Sequence, residues 1–216
     1  MVNPVLVEAC VTTVEEAVAC AAAGADRLEL CRDLGVGGLT PDVAVLERVK
    51  ASVGIPVFAM ARPRAGSFVF DPGEVERTAL ETESLRSAGA DGIVLGLLTS
   101  AAAVDEVGTR LLMESAGTLP VTFHRAFDEV SDLDAGMDVL ARLGVARVLT
   151  SGGASTAEAG ARVLADLVRR AEPPLEVLAG GGVRGHNVAA LVQSTGVREV
   201  HARAEGIKGV IQALRG

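Results

Sequence analysis

Residues able to do chemistry recur at the ends of short apolar runs in this chain. VLVEAC and RLELC end on Glu8, Cys10, Glu29 and Cys31, and PVFAMA is followed by Arg62 and Arg64. PVTFH leads into His124, Arg125 and Asp128, and RVLTS closes on Thr150 and Ser151. LEVLA runs into Gly180, Gly181 and Gly182, and EVHA carries His201 with Arg203 behind it. Two carboxylates and an imidazole, Glu8, Glu29 and His124, suit proton transfer. Arg62, Arg64 and Arg125, with Thr150, Ser151, His201 and the amides of Gly180, Gly181 and Gly182, suit an anionic or phosphorylated ligand. Cys10 and Cys31 are soft donors for Cu(I) or Zn, and Met60 could add a thioether.

Each pattern also has a structural reading. A carboxylate inside a fold is costly unless paired, so Glu8 and Glu29 could simply plug the interior with Arg62, Arg64, Arg125 and His124 as partners. Buried cysteines serve as small apolar fillers. A glycine run can be a tight turn that needs positive φ. Cys20 falls in a helical stretch and reads as structural; His186 opens another and reads as solvated.

Some chemistries are excluded. A Schiff-base aldolase needs an interior lysine, and the only lysines, Lys50 and Lys208, fall in helical stretches. No GxSxG elbow and no HExxH helix is present.

The elements that must position these residues are read from periodicity. Eight β-like runs, 5–10, 27–31, 56–61, 92–97, 120–124, 147–151, 175–179 and 199–202, alternate with helical stretches. The odd runs follow Pro4, Pro56, Pro120 and Pro174; the even ones follow the helix-ending glycines Gly24, Gly89, Gly144 and Gly196. Thr13 with Glu16 and Ser155 with Glu158 have capping-box spacing, and Thr40-Pro41 and Asp71-Pro72 read as helix starts. Four βαβα units in a row predict an α/β fold, a (β/α)8 TIM barrel, as a single domain over 1–216. A doubly wound open sheet is the alternative, but no GxGxxG turn follows the first run. In such barrels the working site lies at the C-terminal ends of the strands, where the residues above collect.

Residues two apart share a face of a strand. The leucines of RLELC then face the helices and Glu29 the interior. Val121 and Phe123 likewise face out, while Thr122 and His124 face in near Glu8, Glu29 and Arg62. Phe127 is expected at the pocket rim, with Asp128 positioning Arg125.

At 216 residues and net charge −8, the chain is a poor match for nucleic acid or an anionic membrane as partner. The N-terminal MVNPVLVEACVT lacks a basic leader region, and no apolar run approaches the ~18 residues of a membrane helix. Three cysteines without a framework spacing fit reduced thiols in the cytoplasm.

The motifs VEACVTTVEEAVACAAAGADRLELC, GGLTP, MARPRAGSFVF, AGADGIVLGLLT, VTFHRAFD, RVLTSGG, GGGV and VREVH together resemble the CutC copper homeostasis proteins. The resemblance implies a cytosolic barrel that forms homodimers or larger homo-oligomers. It also implies Cu(I) binding through Cys10 and Cys31. It brings no accepted reaction, so an isomerase, lyase or hydrolase acting on a small anionic metabolite stays open beside copper handling. One departure stands out: after VREVH the chain reads ARAEG where the family has a small, serine-containing stretch. A shortened region after the eighth strand is expected, with fewer ligand contacts from that loop.

Overall fold

The computed structural model describes residues 5–216. Pro4, expected ahead of the first strand, lies outside them.

The alternation of apolar runs and helical stretches produces eight strands: β1 (Leu6–Val11), β2 (Arg27–Leu30), β3 (Val57–Met60), β4 (Gly92–Leu95), β5 (Val121–Phe123), β6 (Arg147–Thr150), β7 (Glu176–Ala179) and β8 (Glu199–Arg203). Between and after them run α1 (Val14–Ala23), α2 (Val43–Ser52), α3 (Pro72–Ser87), α4 (Glu106–Ala116), α5 (Leu133–Leu143), α6 (Ala161–Arg170), α7 (Val188–Thr195) and α8 (Ile207–Arg215). All neighbouring strands are parallel and the sheet closes, with β1 pairing β8 from Leu6↔Glu199 to Cys10↔Arg203. That pairing excludes the open sheet.

Strand parity separates two apolar layers. Val7, Ala9, Val11, Leu28, Leu30, Val121 and Phe123 join the large cluster beneath the helices. Cys10, Cys31, Phe58, Met60 and Val94 form a small separate cluster. Among the described residues, no helix is long and apolar enough to cross a membrane.

Helix ends follow the expected chemistry in most places. Gly24, Gly144 and Gly196 terminate helices in the left-handed conformation, and Gly89 follows α3 likewise. Asp71 and Glu74 form a full capping box. Two expected starts are corrected. Thr40 does not cap α2; its hydroxyl donates to Glu81 and accepts the Arg62 amide. Ser155 lies in a turn region, and α6 begins later, after Gly160. Beyond β8, a single 3-10 turn (Ala204–Gly206) leads into α8, so that connection is brief, as expected.

Candidate metal and anion site

The strand register stacks the polar interior in tiers. Glu8 pairs across with Arg27 and His201, while Cys10 pairs with Glu29 and Arg203. The deeper tier is an ion-pair network. Arg27 donates through Nε to Glu8 and through Nη2 to Glu199 at 2.7 Å. Arg147 donates to the same Glu199 oxygen at 2.9 Å, and both guanidiniums stand over the Phe58 ring. Burial opposes ionisation of Glu8, but Arg27 and His201 outweigh it and hold the carboxyl down at about 2.

The expected partners of the interior glutamates were Arg62, Arg64, Arg125 and His124; the structure instead pairs Glu8 with Arg27 and His201, and Glu199 with Arg27 and Arg147. Arg27 and Arg147 stand at the starts of β2 and β6. Attention to strand ends alone passes over them, although Arg27 shares the inward parity of Glu29.

His201 links the tiers. Its Nδ1 donates to Glu8 Oε1 at 2.7 Å, and its Nε2 lies 4.0 Å from Glu29 Oε1. Burial disfavours the imidazolium, yet Glu29 and Glu8 raise its pKa above the ordinary value. Burial raises the Glu29 pKa, with His201 opposing it. Glu29 Oε1 accepts from Cys10 Sγ at 3.4 Å, and Oε2 is buried with no partner among the described residues. Cys10 and Cys31 meet with their sulfurs 3.7 Å apart, as strand parity predicts. The contact with Cys31, burial and the Glu29 charge all raise the Cys10 pKa well above its usual value, so it is a thiol. Gly38 (φ +87°) packs against Cys31 and Met60: a Cβ there would sit 3.2 Å from Cys31 Sγ and 3.3 Å from Met60 Cε. Met60 thus stands where a thioether could join the two sulfurs.

Above these groups, at the C-terminal mouth, lies a cavity of about 840 Å³ whose lining includes Cys10, Glu29 and His201. Of the expected anion-binding residues, Arg62, Arg125, Gly181 and Gly182 also line it. The rest are placed differently. Arg64 pairs with Glu74, lies over Phe70 and is spent outside the cavity. Asp128 takes up Thr150 and Ser151: it accepts from Thr150 Oγ1 at 2.5 Å, Ser151 N at 2.9 Å and Ser151 Oγ at 3.0 Å. Gly180 packs beside Leu149, where a Cβ would come within 2.5 Å. Arg62 spends much of its guanidinium on the carbonyls of Val36 at 2.9 Å and Gly66 at 3.0 Å, so it ties loops together. Asp128 does position Arg125, accepting from its Nε at 2.7 Å.

His124 lines the cavity but hydrogen-bonds neither Glu8 nor Glu29. It follows β5, and its Nδ1 accepts the Ala126 N–H at 3.1 Å. The ring proton therefore sits on Nε2, which is buried without a partner among the described residues. Burial and the charge of Arg62 push its pKa down to about 3, so the ring is neutral. Phe127 is fully buried against Gly136 of α5 rather than at the rim. Arg184, just past the glycine run, also lines the mouth. Its position two residues after Gly182 was the only signal for it.

Among the described residues, two groups could hold a metal: Cys10, Glu29 and Cys31, and Glu8, Glu29 and His201, each with ligand atoms within 4.8 Å of one another. The second is the poorer fit, because Arg27 already neutralises Glu8.

The CutC family model matches residues 5–206. A human copper homeostasis protein cutC homolog is 42% identical over 206 residues, spanning 95% of this chain and 76% of that protein. A family protein CutC from Xanthomonas axonopodis pv. citri is 42% identical over 200 residues, spanning 93% and 83% respectively. A crystal structure of a CutC protein from Streptococcus agalactiae superposes with TM-score 0.87 at 31% identity, covering 93% of this chain and 98% of that one. Dihydrodipicolinate synthase DapA-2 from Bacillus anthracis shares the barrel at TM-score 0.68 and 13% identity, a likeness of fold alone.

Proposed function

Because the chain belongs to the CutC family, whose relatives include copper homeostasis proteins, we propose that it handles copper by holding Cu(I) between Cys10 and Cys31. The observation that carries this reading is the pair of buried sulfurs 3.7 Å apart inside the barrel. Two thiolates, with the Met60 thioether beside them, make a soft donor set of low coordination number, the kind Cu(I) favours over hard divalent cations. Phe58 and Val94 pack against the cysteines and restrict water around the ion.

The residues also dictate how loading proceeds. Both sulfurs must lose protons for a thiolate pair to form, so metal uptake releases protons and strengthens as pH rises. Glu29 Oε1, already accepting from Cys10 Sγ, is the first acceptor for the leaving proton. His201, 4.0 Å from that oxygen, is the next group outward. Close, reduced thiols of this kind fit a reducing compartment such as the cytoplasm.

The test is an anaerobic titration with Cu(I) against a competing chelator. The wild-type protein is expected to take one Cu(I) per chain. Cys10→Ser with Cys31→Ser should weaken binding by about two orders of magnitude or more, with far-UV circular dichroism unchanged. Equal affinity in the two proteins would end the proposal.

A further inference from the structure

We propose that the mouth cavity above the sulfur pair, whose lining includes Cys10, binds a small phosphate monoester that also carries a carbonyl or hydroxyl oxygen. Its phosphate would lie against Gly181, Gly182, Arg125, Arg184 and Arg203. Its far oxygen would accept from His124 Nε2.

The cavity, at about 840 Å³, has the size of a small-molecule site. His124 is only 4% exposed, and the Ala126 N–H fixes its tautomer, leaving an Nε2–H with no acceptor among the described residues. A buried donor left unmade costs about 1–3 kcal/mol. Nε2 is itself closed to solvent, so a ligand oxygen removes that cost once a small shift turns this edge of the ring toward the cavity that His124 lines. A neutral ring that can only donate selects a carbonyl or hydroxyl oxygen, not a second cation.

The other end of the site gathers donors. Gly181 (φ +99°) and Gly182 (φ +74°) take left-handed conformations. Among the described residues their N–H groups donate to no protein acceptor. A Cβ on Gly181 would lie 3.4 Å from Arg125 Cζ, so glycine lets this backbone approach the guanidinium. Arg203 closes β8 on the same face as Glu199 and His201 and has no carboxylate partner among the described residues. Arg184 keeps a contact with Glu205 at 3.2 Å and still lines the cavity. Asp128 lines it too, but its oxygens are occupied by Thr150, Ser151, Gly153 and Arg125. Glu129, the remaining carboxylate of that loop, faces the charge of Arg62.

Of the four arginines around the cavity, Arg125 and Arg184 are paired with Asp128 and Glu205 and Arg62 faces Glu129, which leaves Arg203 as the charge without a carboxylate partner among the described residues, beside the glycine amides and the guanidinium N–H groups left over as donors. This many donors exceeds what two carboxylate oxygens use and suits the three oxygens of a phosphate.

Isothermal titration of the metal-free protein with dihydroxyacetone phosphate, inorganic phosphate and dihydroxyacetone tests the site. Both phosphates should bind saturably, dihydroxyacetone phosphate about 10-fold more tightly, and dihydroxyacetone not at all. Arg203→Ala, at an exposed side chain with no ion pair among the described residues, should weaken both phosphates by about 10-fold. His124→Asn keeps an acceptor for the Ala126 N–H and should reduce dihydroxyacetone phosphate to the affinity of inorganic phosphate, leaving the latter unchanged. Cys31→Ser, at a cysteine outside the cavity lining, should bind both phosphates as wild type does, whatever its copper affinity. The inference is overturned by absence of saturable binding to both phosphates, by affinities that Arg203→Ala does not move, or by loss of binding in the serine variant.

Discussion

Glu8→Gln is expected to destabilise the barrel by about 3–5 kcal/mol, the usual cost of removing one partner from a buried ion pair. Arg27 is 3% exposed and spends its Nε on Glu8. The amide's single oxygen can replace only one of the two Glu8 acceptors, so its NH2 group faces either Arg27 Nε or His201 Nδ1, donor against donor, and the charge opposite Arg27 is lost. The pKa of Glu8 points to the same size of effect. A fall from 4.5 to about 2 corresponds to about 3 kcal/mol of native-state stabilisation. The sign follows from the direction: a depressed carboxyl stabilises the fold above its unfolded pKa, and that contribution is lost as pH falls from 4.5 toward 2. Urea midpoints at pH 7 measure the loss in the variant. A change below about 1 kcal/mol, the range of exposed pairs, would mean that the network carries little of the stability.

His124 should make the protein acid-labile in a higher window. The unfolded imidazole takes a proton below about 6.5, whereas burial and then Arg62 hold the folded one neutral down to about 3. Stability therefore falls as pH drops through this interval, by about 1.4 kcal/mol per unit, or about 2 kcal/mol between pH 6.5 and 5. His201 does not contribute to that slope: with a raised folded pKa, it is protonated in both states below its unfolded value. Glu29, with its raised pKa, works in the opposite sense as pH approaches its titration from above. Comparison with His124→Asn separates these effects, since that variant retains Glu29 and His201. Urea midpoints of the wild type should fall from pH 6.5 to 5 by about 2 kcal/mol more than those of the variant. Parallel profiles would show that burial does not hold this ring neutral.

Much of the fold was legible because its signals are local. Gly24, Gly89, Gly144 and Gly196 stop helices by a backbone conformation that glycine adopts without strain. The alternation in RLELC decides which way Glu29 points, and the same rule brought Cys10 and Cys31 together. Pairing within the interior was less legible, because parity gives a face and not a partner. Arg27 and Arg147 enter at the starts of their strands and reach Glu199 from both sides across Phe58, a meeting of residues far apart in the chain.

Competition explains the other departures. Thr150 and Ser151 end a strand at the mouth, but Asp128 meets them from the neighbouring loop and takes their donors. Arg64 had a nearer acceptor in Glu74, the same residue that completes the capping box of α3. The tautomer of His124 depends on one backbone amide two residues on, which nothing in the side-chain pattern announces.

Cu K-edge X-ray absorption on protein loaded anaerobically with one equivalent of Cu(I) tests the copper reading most directly. The account predicts a first shell of sulfur, two thiolates with or without the Met60 thioether, that disappears in the Cys10→Ser, Cys31→Ser variant. A first shell of only nitrogen and oxygen in the wild type would contradict it and would move the metal to Glu8, Glu29 and His201.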